Sequence, residues 1–79
     1  FEGRIYDIAF SPDSRRIAGA CEDGFVRIWD TQTGKQVYEK RYETDALTHI
    51  AYLPGGSRVA TIQREGTVFR TWLLPEGAR

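Results

Sequence analysis

Ile5-Tyr6-Asp7-Ile8-Ala9-Phe10-Ser11-Pro12-Asp13, followed by Ile17-Ala18, Asp23-Gly24 and Val26-Arg27-Ile28-Trp29-Asp30, is a block that this chain carries twice. It returns in the same order as Leu47-Thr48-His49-Ile50-Ala51-Tyr52-Leu53-Pro54-Gly55, Val59-Ala60, Glu65-Gly66 and Val68-Phe69-Arg70-Thr71-Trp72. Phe10 and Tyr52 stand 42 positions apart, as do Gly24 and Gly66, whereas Trp29 and Trp72 stand 43 apart. One residue has therefore entered the last strand of the second copy, and a bulge is expected between Val68 and Trp72. A fixed period of roughly 40–45 residues with a Gly-bearing turn and a closing Trp is a signature of propeller blades.

Alternation, β-branched and aromatic enrichment and turn punctuation predict seven strands, over 4–10, 16–21, 25–30, 36–42, 47–53, 58–63 and 67–74. Ser11-Pro12-Asp13-Ser14 suits a type I turn and Pro54-Gly55-Gly56-Ser57 supplies turn glycines, while Glu22-Asp23-Gly24 and Glu65-Gly66 read as tight hairpin turns. Every connection is short, so the sheets are antiparallel meanders. Ile17-Ala18-Gly19-Ala20-Cys21 and Val59-Ala60-Thr61-Ile62 are apolar on both faces, as a sheet sandwiched between neighbours requires, and the small residues at 18–21 let the next sheet approach closely. The charged fourth strand suits an outer edge. No eighth strand follows the seventh, because Pro75-Glu76-Gly77-Ala78-Arg79 closes the chain.

Phe10-Ser11-Pro12-Asp13, Asp23-Gly24, Val26-Arg27-Ile28-Trp29-Asp30 and Thr33-Gly34-Lys35 together resemble a WD repeat. The first copy has the Trp29-Asp30 dipeptide; in the second, Leu73 replaces the Asp. The resemblance implies an all-β propeller segment of two antiparallel blades packed face to face, a four-stranded one over residues 1–43 and one over 44–79 that lacks its outer strand. Propellers close with 4–8 blades, and at least about three repeat units are needed for stability. The 79 residues, which start at Phe1 and contain no Met, are thus expected to be part of a larger propeller, or a subunit that closes by association and oligomerises or aggregates on its own.

In the resembled family a buried network joins a His before the first strand, a hydroxyl on the second, an Asp in the next turn and the Trp indole. Carried over, the first blade keeps Asp23 and Trp29, with Gly19 at the hydroxyl position and Phe1 at the His position. The second keeps Thr61 and Trp72, with Glu65 for the Asp and Glu43 for the His, so neither network is complete.

Composition narrows the function. Eleven basic residues balance eleven acidic ones, without the concentrated basic stripe that nucleic acid demands. No apolar run reaches a membrane span, there is no signal-peptide pattern, and Asn, hence an N-glycosylation acceptor, is absent. The single Cys21 forms no internal disulfide and points to a reducing, intracellular compartment, cytoplasmic or nuclear; it closes an apolar strand and reads as a small buried hydrophobe. His49, the only histidine, has no nucleophile at interpretable spacing and is expected, with its counterpart Asp7, to face a solvated central channel. Glu22/Asp23 and Glu43/Asp45 are explained by turn chemistry, and there is no P-loop, dinucleotide fingerprint or zinc spacing. Nothing calls for a catalytic residue, a metal or a cofactor.

The resemblance implies an interaction scaffold for a protein or peptide. Two other readings stay open: the structural or regulatory part of a larger enzyme, and a self-assembling propeller subunit. The side most used by the family gathers Glu22 and Asp23 with Glu43, Thr44 and Asp45 and with Gln63, Arg64 and Glu65. Its mixed, mostly acidic content suits a basic or mixed-charge peptide, with Asp45, Gln63, Arg64 and Glu65 as the binding residues and Arg64 foremost.

Overall fold

A computed structural model describes residues 1–66 and 69–79. Seven strands follow one another: β1 (Ile5–Phe10), β2 (Arg16–Cys21), β3 (Phe25–Asp30), β4 (Gln36–Arg41), β5 (Leu47–Tyr52), β6 (Arg58–Gln63) and β7 (Arg70–Leu73), with a short 3-10 turn at Glu76–Ala78. They form two antiparallel meanders, β1-β2-β3-β4 and β5-β6-β7, and among the described residues no helix interrupts them.

The repeat is visible in the register. Ile17 faces Trp29 across β2 and β3, and Val59 faces Trp72 across β6 and β7, so the two tryptophans occupy equivalent places. The ladder of β7 is regular from Arg70 to Leu73. The expected bulge therefore does not lie within it; of the rest of that stretch, Phe69 precedes the strand and residue 68 falls outside the described residues. The β1–β2 and β5–β6 ladders each carry a register shift at matching positions, between Ile5 and Asp7 and between Leu47 and His49.

Side-chain alternation gives each sheet two faces. From the first, Ala18, Ala20, Val26 and Ile28 are buried against Leu47, Ile50, Val59 and Leu74 of the second, with Ala78 completing the cluster. Alanines at 18 and 20 keep β2 low enough for β5 to pack across it, and β1 lies beside β5. Ile28 and Leu47, each with no exposed surface, contribute about 1.5–3 kcal/mol apiece relative to an exposed position. The opposite faces are open: Ile8 and Phe10 on the first sheet, and Phe69 and Leu73 beside the second, are each more than half exposed.

Three expectations are corrected. Asp7 does not face a channel: its Oδ2 accepts the N–H of Ile50 at 3.0 Å, a bond from the inner strand of one sheet to that of the next. β4 stops at Arg41: the N–H of Tyr42 still reaches the carbonyl of Gly24, its register partner (2.9 Å), but Gly24 gives its own N–H to the Cys21 carbonyl (3.1 Å) and shares its carbonyl with Glu43 (3.2 Å), so the ladder closes there. The turn after β5 spans 53–56, closed by Gly56 N–H to the Leu53 carbonyl at 3.1 Å, one residue earlier than the glycine pattern suggested. The matching turn after β1 closes from Ser14 to Ser11 as expected.

Candidate functional site

The rim is built where the β2–β3 turn, the β4–β5 link and the β6–β7 turn meet. Gly24 makes the meeting possible. Its carbonyl accepts the N–H groups of both Tyr42 and Glu43, at 2.9 and 3.2 Å, and its φ of 84° turns the chain there. A Cβ at this position would overlap the Glu43 carbonyl, so the link passes directly over the glycine. Across the link, the N–H of Arg64 donates to the Ala46 carbonyl at 2.8 Å. The three connections are thus held by backbone bonds before any side chain acts.

On that frame the Arg64 guanidinium donates to Asp45 Oδ1 at 2.6 Å. The arginine is 58% exposed and the aspartate 36%, so the pair stands in solvent and is worth little to stability. Asp45 also accepts the N–H of Ala46; Arg64 first and this bond second hold its carboxyl below the ordinary range. Gln63 ends β6 opposite Leu47, and Glu65 is exposed at the tip of the turn. Asp45 and Arg64 are brought together, and Gln63 and Glu65 flank them.

Two arginines that sequence reasoning passed over change the charge of this rim. Arg27, with a side chain only 7% exposed, makes two bonds to Asp23 (3.1 and 2.8 Å) and a longer one to Glu39 (3.3 Å). Its guanidinium lies between two rings, 3.7 Å from the centroid of Phe1 and 4.6 Å from that of Phe25. The Arg27 bond holds the Asp23 carboxyl low, and Asp23 reciprocally pushes the guanidinium up. Arg70 pairs with Glu43 at 3.3 Å. Asp23, Glu43 and Asp45 are therefore each matched by an arginine, while Glu22 and Glu65 take part in no ion pair among the described residues, so the rim mixes both signs of charge with acids still in the majority. The signal was legible: an arginine precedes each tryptophan by two positions.

The tryptophan networks divide. Trp72 Nε1 donates to Thr61 Oγ1 at 2.8 Å, and its ring stacks on Tyr42 with centroids 4.3 Å apart and planes at 15°. Tyr42 meets Tyr38 through their hydroxyls at 3.1 Å; burial first, and that contact second, push its pKa up. Glu65 takes no part among the described residues. In the first sheet Asp23 serves Arg27, and Trp29 packs over Gly19, where a Cβ would meet its ring at 3.0 Å. Phe1, at the histidine position, covers Arg27 instead.

Cys21 is fully buried, its thiol 3.7 Å from the Gly19 carbonyl, and burial raises its pKa. His49 is exposed on the open face of the second sheet, Nδ1 3.1 Å from Thr48 Oγ1. Among the described residues no cluster of His, Cys, Asp and Glu could hold a metal ion, and no helix is long and apolar enough to cross a membrane.

Comparison with known proteins adds the following. The family description "WD domain, G-beta repeat" matches residues 1–30. Protein groucho of Drosophila melanogaster is 38% identical over 72 residues, covering 91% of this chain and 10% of that protein. Coronin-7 of Mus musculus is 33% identical over 66 residues, covering 82% and 7% respectively, and the ribosome biogenesis protein erb1 of Pyrenophora tritici-repentis is 33% identical over 54, covering 67% and 7%. The chain spans about a tenth or less of the length of these relatives. Among solved structures, the β-propeller domain of Cps50 (Swd1) from Myceliophteria thermophila superposes with a TM-score of 0.82 at 15% identity, covering 95% of this chain and 23% of that one.

Proposed function

Because the chain belongs to the WD-repeat β-propeller family, whose members generally serve as protein-interaction scaffolds, we propose that it supplies two neighbouring blades, residues 1–43 and 44–79, of such a scaffold and performs no chemistry of its own. The partner is a protein segment of mixed charge, docked on the rim at Asp45, Gln63, Arg64 and Glu65. The exposed Asp45–Arg64 pair is the observation that carries this reading. A planar guanidinium and a carboxylate held side by side on a rigid backbone frame present a donor fork and an acceptor together, to which an acid and a base of one partner peptide are complementary. The partner exchanges one solvated pair for two, so affinity and specificity come from geometry more than from charge. The buried free thiol of Cys21 fits a reducing, intracellular setting.

The test is a display library of peptides carrying both charge signs, panned against the full-length protein. Enriched peptides are expected to lose about tenfold in affinity on Arg64→Ala and on Asp45→Ala, the scale of a charged hydrogen bond. The melting temperature should barely move, since exposed pairs stabilise little. If both variants bind these peptides normally while Arg15→Ala or Lys35→Ala abolishes binding, the surface lies at the other end of the strands.

A further inference from the structure

At the end of the strands opposite the Asp45–Arg64 rim, the β1–β2 and β3–β4 turns and the residue after the 3-10 turn enclose a cleft of about 370 Å³ lined by Asp13, Arg15, Arg16, Asp30, Gln32 and Arg79. We propose that this cleft docks an acidic segment of a protein partner, one carboxylate of the segment lying between Arg15 and Arg79.

Both aspartates are already engaged. Asp30 accepts Arg16 Nη1 at 2.8 Å on one oxygen and the N–H groups of Gln32 and Thr33, at 2.8 and 3.0 Å, on the other. Asp13 Oδ1 accepts the Ser11 hydroxyl at 2.7 Å and the Arg15 N–H at 3.0 Å. These bonds fix the carboxylates to their own turns, and of the three guanidinium groups only that of Arg16 forms an ion pair with them among the described residues.

The arginines are not similarly engaged. The Arg15 side chain makes no hydrogen bond among the described residues. Among the described residues Arg79 donates only its Nε, to the Leu74 carbonyl at 2.9 Å, and neither Nη group has an acceptor there. Arg16 Nε is shielded from solvent without an acceptor among the described residues. Among the lining side chains, three cations against two anions leave one positive charge in excess. A single carboxylate neutralises that excess, whereas a phosphate, at −1.5 to −2 near neutral pH, overshoots it beside Asp13. Guanidinium forks also match a carboxylate's planar geometry.

The shape favours a peptide over a free acid. A second cleft of about 290 Å³, lined by Ser11, Pro12, Asp13, Gly55, Gly56 and Arg79, shares Asp13 and Arg79 with the first and crosses the seam between the sheets. At Gly55 even an added Cβ would meet nothing within 4 Å, so this wall is open backbone along which an extended chain can run. The floor is rigid: Thr31 ties the two turns of the first sheet together through its N–H to the Arg15 carbonyl (3.1 Å) and its hydroxyl to the Ser14 carbonyl (2.8 Å).

The experiment is fluorescence anisotropy of a labelled hexaglutamate peptide with the full-length protein at low ionic strength, with hexaglutamine as the uncharged control. Binding of hexaglutamate, absent for hexaglutamine, should weaken at least about tenfold on Arg15→Glu and on Arg79→Gln, the loss of one charged hydrogen-bonding group. Arg15→Glu removes no bond of the fold, so its melting temperature should match the parent. Arg64→Glu at the distant rim should leave hexaglutamate binding unchanged, which separates this site from the rim proposed above. The proposal is overturned if hexaglutamate does not bind, if hexaglutamine binds as well, or if Arg15→Glu retains the parent affinity.

Discussion

Replacing Gly24 by alanine tests how tightly the two sheets are joined. The residue sits at φ 84°, in the left-handed region, where an L side chain costs about 1–2 kcal/mol. The added Cβ would overlap the Glu43 carbonyl and approach Asp45 O at 2.9 Å, both main-chain atoms that cannot rotate away. Displacing a packed backbone to admit one methyl costs about 1–3 kcal/mol more. Gly24→Ala should therefore lose about 2–5 kcal/mol, a large share of a total stability of about 5–15 kcal/mol. Gly34 is the internal control: its φ is 75°, yet an added Cβ would meet nothing within 4 Å. Gly34→Ala should lose only the conformational part, about 1–2 kcal/mol. Chemical denaturation of the full-length protein and both variants gives the difference. Equal losses would refute the reasoning, since the seam would then exert no steric pressure on Gly24.

Thr61→Val keeps the shape of β6 but leaves the Trp72 indole N–H without its acceptor; a loss of about 1–3 kcal/mol is expected by denaturant titration, with Thr61→Ser near the parent. A Val variant as stable as the Ser variant would show that solvent replaces the bond. Acid should destabilise the fold through Asp30 and Asp13. Backbone N–H donors, those of Thr33 and Gln32 for Asp30 and of Arg15 for Asp13, lower both folded-state pKa values below the ordinary aspartate value of about 3.9. Their contribution is complete above that value and is lost as pH falls through the lowered folded values. Melting temperatures measured from about pH 5 down to about pH 2 should fall, and fall less steeply for Asp30→Asn; identical slopes for the two proteins would remove Asp30 from the account.

Strands were legible in the sequence wherever the cause is local. β2, β3 and β6 match their predicted ends because turn residues border them on both sides. The end of β4 was not legible, since it depends on Gly24 giving its N–H to Cys21 and sharing its carbonyl between Tyr42 and Glu43, and the stack of Tyr42 on Trp72 exists only once the second sheet is in place. Asp7 was misread for the same reason. A polar residue within an inner strand looks solvated until the N–H of Ile50, on the neighbouring sheet, is found to need an acceptor. At the rim, the pairing of Asp45 with Arg64 was anticipated only as proximity among turn residues; the arginine two positions before each tryptophan was visible in the sequence, but that Arg70 pairs with Glu43 of the β4–β5 link is settled only by the fold. The arginines at 15, 16 and 79 share no sequence pattern at all, and only the fold collects them.

The repeat also constrains what can cover the open face of the second sheet. By the 42-residue offset, Ala51, Ala60 and Ile62 there stand where Ala9, Ala18 and Ala20 stand on the face that seats the second sheet. Two of the three positions keep a methyl, but Ile62 projects where Ala20 is flat. A sheet packed on this face must therefore yield space opposite Ile62 that Leu47 and Ile50 do not need to yield opposite Ala20. The acceptor changes too, since His49 replaces Asp7. A fixed carboxylate that accepts one inner-strand N–H gives way to an imidazole that accepts only through a nitrogen without a proton. The two seams of this chain are alike in backbone and unlike in chemistry, which distinguishes the sheet that belongs on each.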